Sequence, residues 1–313
     1  MFREIENILF PTDFSENASN ALRVAVSVAK LHNAHLHLLH VTIPQYVSMI
    51  GEIPFGTTYD AWADLENINK QNLEDLAKSL RKKHRISVTI HTKIGYVADT
   101  IEKTTHQQDI DLIIMGTHGS SLFKDLLMGS NTYQTIKNAV CPVLTIPAEF
   151  KTNEFLNVLF PVRNEAGVDE KYHAISHLLR PKRSKVELLG VINFYDIESF
   201  DAVSAKAHEL IIQMEDRGIE TSYRNVYCNH IADFILEYAH FNQSDLLVIN
   251  VNIDSDWKQH FLGTYAQKIV KNAKCPVLSI KPQIVSNATE SQEVEQVNSI
   301  YPYEFILPPI VNI

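Results

Sequence analysis

The sequence predicts an α/β protein built from two tandem copies of one doubly wound module, each with a five-stranded parallel sheet. Three observations predict this class. Short apolar segments alternate with amphipathic segments of helical period. The second half of the chain repeats the first. The apolar segments also lack a polar face, which is typical of strands that helices cover on both sides.

Matching segments reveal the repeat. Residues 8–14 (ILFPTDF) match 158–164 (VLFPVRN) at an offset of 150, whereas residues 138–147 (NAVCPVLTIP) match 272–281 (NAKCPVLSIK) at an offset of 134. The first copy therefore has sixteen more residues, which we place in the loop after Val41, where a lid could close over a ligand.

Domain boundaries follow from these offsets. We predict one module at 1–150, a second at 151–282, and a C-terminal tail at 283–313. The tail begins with a polar, acidic linker and ends with an apolar, aromatic segment that we expect to dock on protein.

The elements of the first module follow in a regular order. Strands are predicted at 7–11, 35–41, 86–92, 111–116 and 142–146. Helices are predicted at 15–32, 61–84, 97–107 and 130–139. Ser15 is a suitable N-cap for the first helix. Right-handed crossovers then restrict this alternation to doubly wound topologies.

Charge and hydropathy exclude several classes of function. The net charge of −9 and the pI near 5.9 argue against nucleic acid and anionic lipid as partners. The apolar runs are too short to cross a bilayer, and the N-terminus does not resemble a secretory signal. We therefore expect a cytoplasmic protein.

A cluster of glycines marks the candidate site. Three of the ten glycines, Gly116, Gly119 and Gly129, lie within fourteen positions between an apolar strand and a helix. The free amides and positive dipole end at a helix start suit a phosphate, and Ser130 and Thr132 could add hydroxyl donors. A tight loop that needs positive φ at the glycines is the alternative reading.

Asp13 follows the first strand. If the strand order reverses between strands one and four, Asp13 lies across a crevice from Gly116, where such sheets bind ligands. A carboxylate there suits the base amine or ribose hydroxyls of a nucleotide. The glycine spacing fits neither a Walker A loop nor a GxGxxG fingerprint.

The spacing of the three glycines, followed by Ser130 and then by CPVL at 141–144, resembles the ATP-binding signature of the universal stress protein family. The segments ILFPTDFS at 8–15 and GYVAD at 95–99 support the resemblance. It covers residues 1–147 strongly and 155–282 as a degraded copy. It implies an adenine nucleotide alpha hydrolase-like fold with strand order 3-2-1-4-5 in each module.

The resemblance also implies a ligand, which is ATP, with Mg²⁺ left open as a companion ion. The adenosine would contact Pro11, Thr12, Asp13 and Val41, with Asp13 at the base. The ribose and phosphates would be lined by Met115, Gly116, Gly119, Gly129, Ser130, Asn131 and Thr132. Ser120 stands where the family often has a basic residue, although Lys124 lies nearby in sequence.

The second copy departs from this pattern. Arg163 stands at the position of Asp13, Asn250 at that of Gly116 and Ile253 at that of Gly119, whereas Gly263 and Thr264 keep the last element. We predict that this module is mainly a structural partner, although a different ligand remains an alternative. The final strands of the two modules would pair as an internal pseudo-dimer.

We therefore expect an ATP-binding, nucleotide-responsive regulatory protein of the stress response, rather than an enzyme. A non-nucleotide interaction scaffold and a slow ATP hydrolase are the alternatives. No catalytic residue or metal ligand is assigned, and His35 and His37 are interpreted as surface-facing strand residues. The downstream partner and a further homodimer are left open.

Overall fold

The computed structural model describes residues 4–43, 58–117, 129–251, 253–254 and 261–282. The predicted insertion after Val41 lies mostly outside the described residues, and so do Gly119, Ser120, Lys124 and the tail. The first module contains the strands β1 (Asn7–Pro11), β2 (His35–Thr42), β3 (Val88–Ile94), β4 (Leu112–Gly116) and β5 (Val143–Ile146). Its helices are α1 (Glu16–His32), α2 (Thr58–His84), α3 (Val97–Gln107) and α4 (Ser130–Asn138).

The second module has the same element order. Its sheet strands are β6 (Asn157–Val162), β7 (Lys185–Ile192), β8 (Glu220–Tyr227), β9 (Leu246–Asn250) and β12 (Val277–Ile280). Its helices are α5 (Val168–Ser176), α6 (Phe200–Glu215), α7 (Ile231–Phe241) and α8 (Thr264–Asn272). A short antiparallel ribbon, β10 (Ile253–Asp254) with β11 (Phe261–Leu262), stands at the sequence position of the glycine segment in the first module, and it was not predicted.

The ten sheet strands form one sheet in the order β3-β2-β1-β4-β5-β12-β9-β6-β7-β8. Each half confirms the predicted order 3-2-1-4-5. Every neighbouring pair is parallel except β5 and β12, which run antiparallel with Leu144 opposite Leu278. The predicted pairing of the two final strands is therefore confirmed.

Helices cover both faces of the sheet. Along β1, Ile8 and Phe10 are buried on one face and Leu9 on the other, all three at 0% exposure. Because both faces are covered, the strands are apolar throughout rather than alternating. Along the described chain, no helix is both long and apolar enough to cross a bilayer.

An aspartate fixes the start of the first strand in each module. Asp111 accepts hydrogen bonds from the amides of Glu6 and Asn7, each at 2.9 Å. Asp245 does the same at the start of β6, at 2.8 and 2.9 Å. These bonds satisfy amides before the sheet ladder begins, so that strands one and four are held in the same relation in both copies.

Helix α1 also holds the connection between the modules. The Asn20 side-chain amide donates to the carbonyls of Pro147 and Ala148 at 2.9 and 3.1 Å. The Arg23 guanidinium donates to the carbonyl of Phe150 at 2.8 Å and to that of Lys151. This connecting segment is therefore anchored to the first module.

Candidate functional site

The candidate site is a crevice at the carboxyl ends of β1 and β4. Strand β1 pairs with β2 on one side and with β4 on the other, so the direction of winding reverses between β1 and β4. The helices that follow the two strands, α1 and α4, pack on opposite faces of the sheet, and sheets wound in this way have a crevice at that point. The predicted reversal of strand order between strands one and four is therefore present, and Asp13 and Gly116 stand at the ends of those two strands.

The first wall is the turn from Thr12 to Ser15, and hydrogen bonds within the turn fix its shape. The amide of Thr12 donates to the carbonyl of Leu39 at 2.8 Å, which extends the β1–β2 pairing. The amide of Phe14 donates to Thr12 Oγ1 and that of Ser15 to Asp13 Oδ1, both at 3.0 Å. Asp13 itself is exposed, just after the carboxyl end of β1.

Helix α1 begins directly after this turn. Ser15 is its N-cap, and Ser15 Oγ accepts a hydrogen bond from the amide of Ala18 at 3.2 Å, as predicted. Pro11 and Val41 are half-buried, and Val41 packs against the core on the face that carries Leu39. Together these residues form a largely preformed wall.

The second wall joins the end of β4 to the start of α4. The amide of Gly129 donates to the carbonyl of Thr117 at 3.2 Å, which closes the base of the intervening loop. Thr132 Oγ1 donates to the carbonyls of Gly116 and Thr117, each at 3.2 Å. Thr132 is 3% exposed. That hydroxyl therefore ties the helix to the strand, and its contact with a phosphate stays a prediction.

The start of α4 offers amides to a ligand. Gly129 is the N-cap residue and provides no side-chain cap for the first turn. The first amides of a helix lack partners within the helix, so those of Ser130 and Asn131 carry the positive end of its dipole. Both residues have exposed side chains.

Backbone geometry narrows the role of two glycines. Gly116 lies within β4, and Gly129 has a φ of −54°. Neither residue occupies the left-handed region. A need for unusual dihedrals is therefore excluded at these two positions, and close approach of another group to the backbone remains as the reason for glycine.

Met115 is buried at the end of β4. Its side chain is only 7% exposed and belongs to the apolar core cluster that includes Ile113 and Leu9. Its contact with the ribose and phosphates stays a prediction, and such a contact would involve mainly its main chain at the strand end.

The matching crevice of the second module is filled by its own side chains. Arg163 forms an ion pair with Glu165 at 3.0 Å, and its guanidinium lies 4.7 Å from the ring centroid of Tyr265. Asn250 is 1% exposed and donates to Glu165 Oε1 at 3.3 Å and to the Ala166 carbonyl at 2.9 Å. The residues that replace Asp13 and Gly116 thus contact one shared carboxylate.

A buried lysine completes this cluster. Lys171 is 1% exposed, and its Nζ donates to the Pro161 carbonyl at 2.5 Å. The same ammonium lies 3.9 Å from Glu165 and 4.7 Å from the ring centroid of Phe160. Glu165 therefore faces Arg163, Lys171 and Asn250 together.

The strand histidines differ from expectation. His37 is only 6% exposed rather than surface-facing, because α3 packs over this face of β2. His37 Nδ1 lies 3.1 Å from His91 Nε2, and His35 Nε2 lies 2.7 Å from Thr89 Oγ1. In the described part of the chain, no group of three or more His, Cys, Asp or Glu side chains could hold a metal ion.

Sequence reasoning missed the residues that support the crevice. The carbonyl of Thr117 accepts hydrogen bonds from the start of α4, and His40 contacts the turn that carries Asp13 through the carbonyl of Thr12 at 2.8 Å. The order Thr12, Asp13, Ser15 could have revealed the turn, because these residue types accept hydrogen bonds from nearby amides. No local signal marks His40.

Known proteins resemble the chain over one module or over both. A profile of the universal stress protein family matches residues 4–147. Universal stress protein MJ0577 of Methanocaldococcus jannaschii is 30% identical over 155 residues, which cover 45% of this chain and 94% of that protein. Universal stress protein Slr1230 of Synechocystis is 24% identical over 297 residues, which cover 88% of this chain and all of that protein.

The two-module arrangement is also found among solved structures. The crystal structure of a universal stress protein from Archaeoglobus fulgidus aligns with 90% of this chain and 100% of its own, with a TM-score of 0.70. Sequence identity in that alignment is 17%, so the likeness shows the fold alone.

Proposed function

This chain belongs to the universal stress protein family as a tandem two-module member, and we propose that its first module binds ATP and that the chain acts as a nucleotide-responsive regulator. One observation carries the proposal. The exposed Asp13 and the start of α4 stand at opposite walls of a crevice where the strand order reverses.

The chemistry of the two walls differs in a way that fits a nucleotide. Asp13 is an acceptor for the amine of a base or for ribose hydroxyls, because a carboxylate only accepts hydrogen bonds. The amides of Ser130 and Asn131 at the start of α4 favour an anion. Gly116 and Gly129 allow close approach to the backbone between them.

Mg²⁺ would depend mainly on the nucleotide. Among the described residues on the phosphate side, only the Ser130 hydroxyl and the Asn131 amide oxygen are suitable ligand groups. Mg²⁺ is often bound through substrate phosphates and water with few protein ligands. ATP would thus supply most of the coordination.

The second module serves as a structural partner in this proposal. Its crevice contains the ion pair of Arg163 with Glu165 and the buried Asn250. Arg163 and Asn250 stand there in place of Asp13 and Gly116. A nucleotide would have to displace these contacts. Its final strand also completes the continuous sheet by pairing with β5.

Equilibrium titration with ATP tests the site. Asp13→Ala should weaken ATP binding by roughly tenfold or more, because it removes an acceptor for the nucleoside. The single variant Gly116→Val should weaken ATP binding more than Asp13→Ala does, because it places a branched side chain at the crevice. Asp75→Ala is the control, since Asp75 is exposed on α2 and should leave binding unchanged.

Each of the other outcomes has a defined meaning. If the wild type does not bind ATP, the proposed function is wrong and a non-nucleotide scaffold becomes the better account. If the wild type and both crevice variants bind equally, ATP binds elsewhere. Sustained ADP release, even well below the typical enzyme turnover of about 10 per second, would favour the slow hydrolase alternative.

A further inference from the structure

The turn that carries Asp13 includes a residue in an unfavourable conformation. Phe14 has a φ of 61°, in the left-handed region that residues with a bulky side chain rarely adopt. Its amide donates to Thr12 Oγ1 at 3.0 Å, and its ring stacks on the His40 imidazole with centroids 4.8 Å apart and planes at 29°. These contacts hold Phe14 in place.

His40 also contacts the turn on the other side of Asp13. His40 Nδ1 lies 2.8 Å from the carbonyl oxygen of Thr12. Because a carbonyl only accepts hydrogen bonds, Nδ1 carries the hydrogen and donates it. That carbonyl belongs to the peptide group that joins Thr12 to Asp13. One imidazole therefore fixes the peptide before Asp13 and the ring after it.

The second module provides an internal comparison. At the repeat offset of 150, Gly190 takes the place of His40 and Arg163 that of Asp13. A Cβ at Gly190 would lie 2.0 Å from Asn225 Oδ1, so a side chain there would have to displace Asn225. The sheet thus forms without the histidine, which is present only in the copy that has the aspartate.

We propose that His40 is a positioning residue for nucleotide binding, which orients the Asp13 carboxylate by holding the Thr12 carbonyl and the Phe14 ring. This inference rests on the ATP-binding function proposed above. His40 itself need not touch the nucleotide. Its effect on affinity should therefore act mainly through Asp13.

A double-mutant cycle with ATP as the probe tests this dependence. In the wild-type background, His40→Leu should weaken ATP binding by roughly tenfold, because it removes the hydrogen bond to Thr12. In the Asp13→Ala background, the same substitution should change the affinity less than about twofold. An equal loss in both backgrounds would overturn the inference, since His40 would then act independently of Asp13.

A matched pair of amide variants distinguishes positioning from general stability. The His40→Asn amide can occupy the place of the Nδ1 donor, whereas the longer His40→Gln amide resembles Nε2. We expect Asn to restore affinity to within about threefold of wild type and Gln to remain weakened. Equal affinities for the two variants would contradict the inference, and this comparison still applies if His40→Leu does not fold.

Failure of this inference differs from failure of the proposed function. A wild-type protein without affinity for ATP would overturn both. A wild-type protein that binds ATP, and loses affinity in Asp13→Ala but not in His40→Leu, would overturn only the role of His40.

Discussion

At the residue scale, the stacked histidines His37 on β2 and His91 on β3 make the free energy of unfolding depend on pH. Burial, together with repulsion from the neighbouring His35 and His91, lowers the pKa of His37 to about 4. Burial also lowers the pKa of His91. An unfolded histidine titrates near 6.5, so the unfolded state binds more protons than the folded state between these values. Stability from His37 is therefore present above pH 6.5 and is lost as the pH falls toward 4.

The variant His37→Gln tests this effect. We expect wild type to lose on the order of 2 kcal/mol of unfolding free energy relative to the variant between pH 6.5 and 4.5. Denaturant unfolding across that range measures the difference. His106→Gln, at an exposed position on α3, is the control. A constant difference between wild type and His37→Gln at all pH values would contradict the account.

At the element scale, the first helices of the two modules, α1 and α5, have different residues at one matching core position. On α1 the core position is Ala21 at 0% exposure, whereas at the matching position on α5 it is Lys171 at 1%. Burial lowers the pKa of the Lys171 ammonium from 10.5 to about 8, although Glu165 opposes this shift. A folded state with the lower pKa gains stability as the pH rises from 8 to 10.5.

Substitution of the buried lysine should remove this rise in stability with pH. Relative to Lys171→Met, wild type should gain on the order of 3 kcal/mol of unfolding free energy between pH 8 and 10.5. Other groups titrate in this range, so the quantity to compare is the difference between the two proteins. Lys103→Met, on the exposed side of α3, is the control. Parallel stability curves for wild type and Lys171→Met would show that Lys171 is not perturbed.

At the scale of the whole molecule, one sheet joins two halves with different crevices. Antiparallel pairing of β5 with β12 makes the sheet continuous, and it protects two edges that would otherwise be exposed. The first crevice has an exposed carboxylate and a glycine, whereas the second has an ion pair and the buried Asn250. The chain as a whole is therefore predicted to bind one ATP.

The fold could be predicted from the sequence because the repeat provides two independent segments for each strand and helix of the module. The matching segments around Asp13 and Arg163, and around the final strands, identified both modules and the pairing of β5 with β12. The ribbon of β10 and β11 was missed because strands of two residues have no measurable period.

The site could be predicted only in part. The sequence correctly located Asp13 and the start of α4 at the end of the sheet, since strand order and turn chemistry determine those positions. The direction of a side chain depends on tertiary contacts, so the hydrogen bonds of Thr132 and the burial of Met115 were not foreseen. The burial of His37 was missed for the same reason.

The stoichiometry of ATP binding to the full chain tests the central claim most directly. Isothermal titration of nucleotide-free protein should give one ATP per chain, and Asp13→Ala should weaken that single event by roughly tenfold or more. Two ATP molecules per chain would show that the ion cluster of Arg163, Glu165 and Lys171 does not close the second crevice. No binding, or one event of unchanged affinity in Asp13→Ala, would contradict ATP binding in the first module.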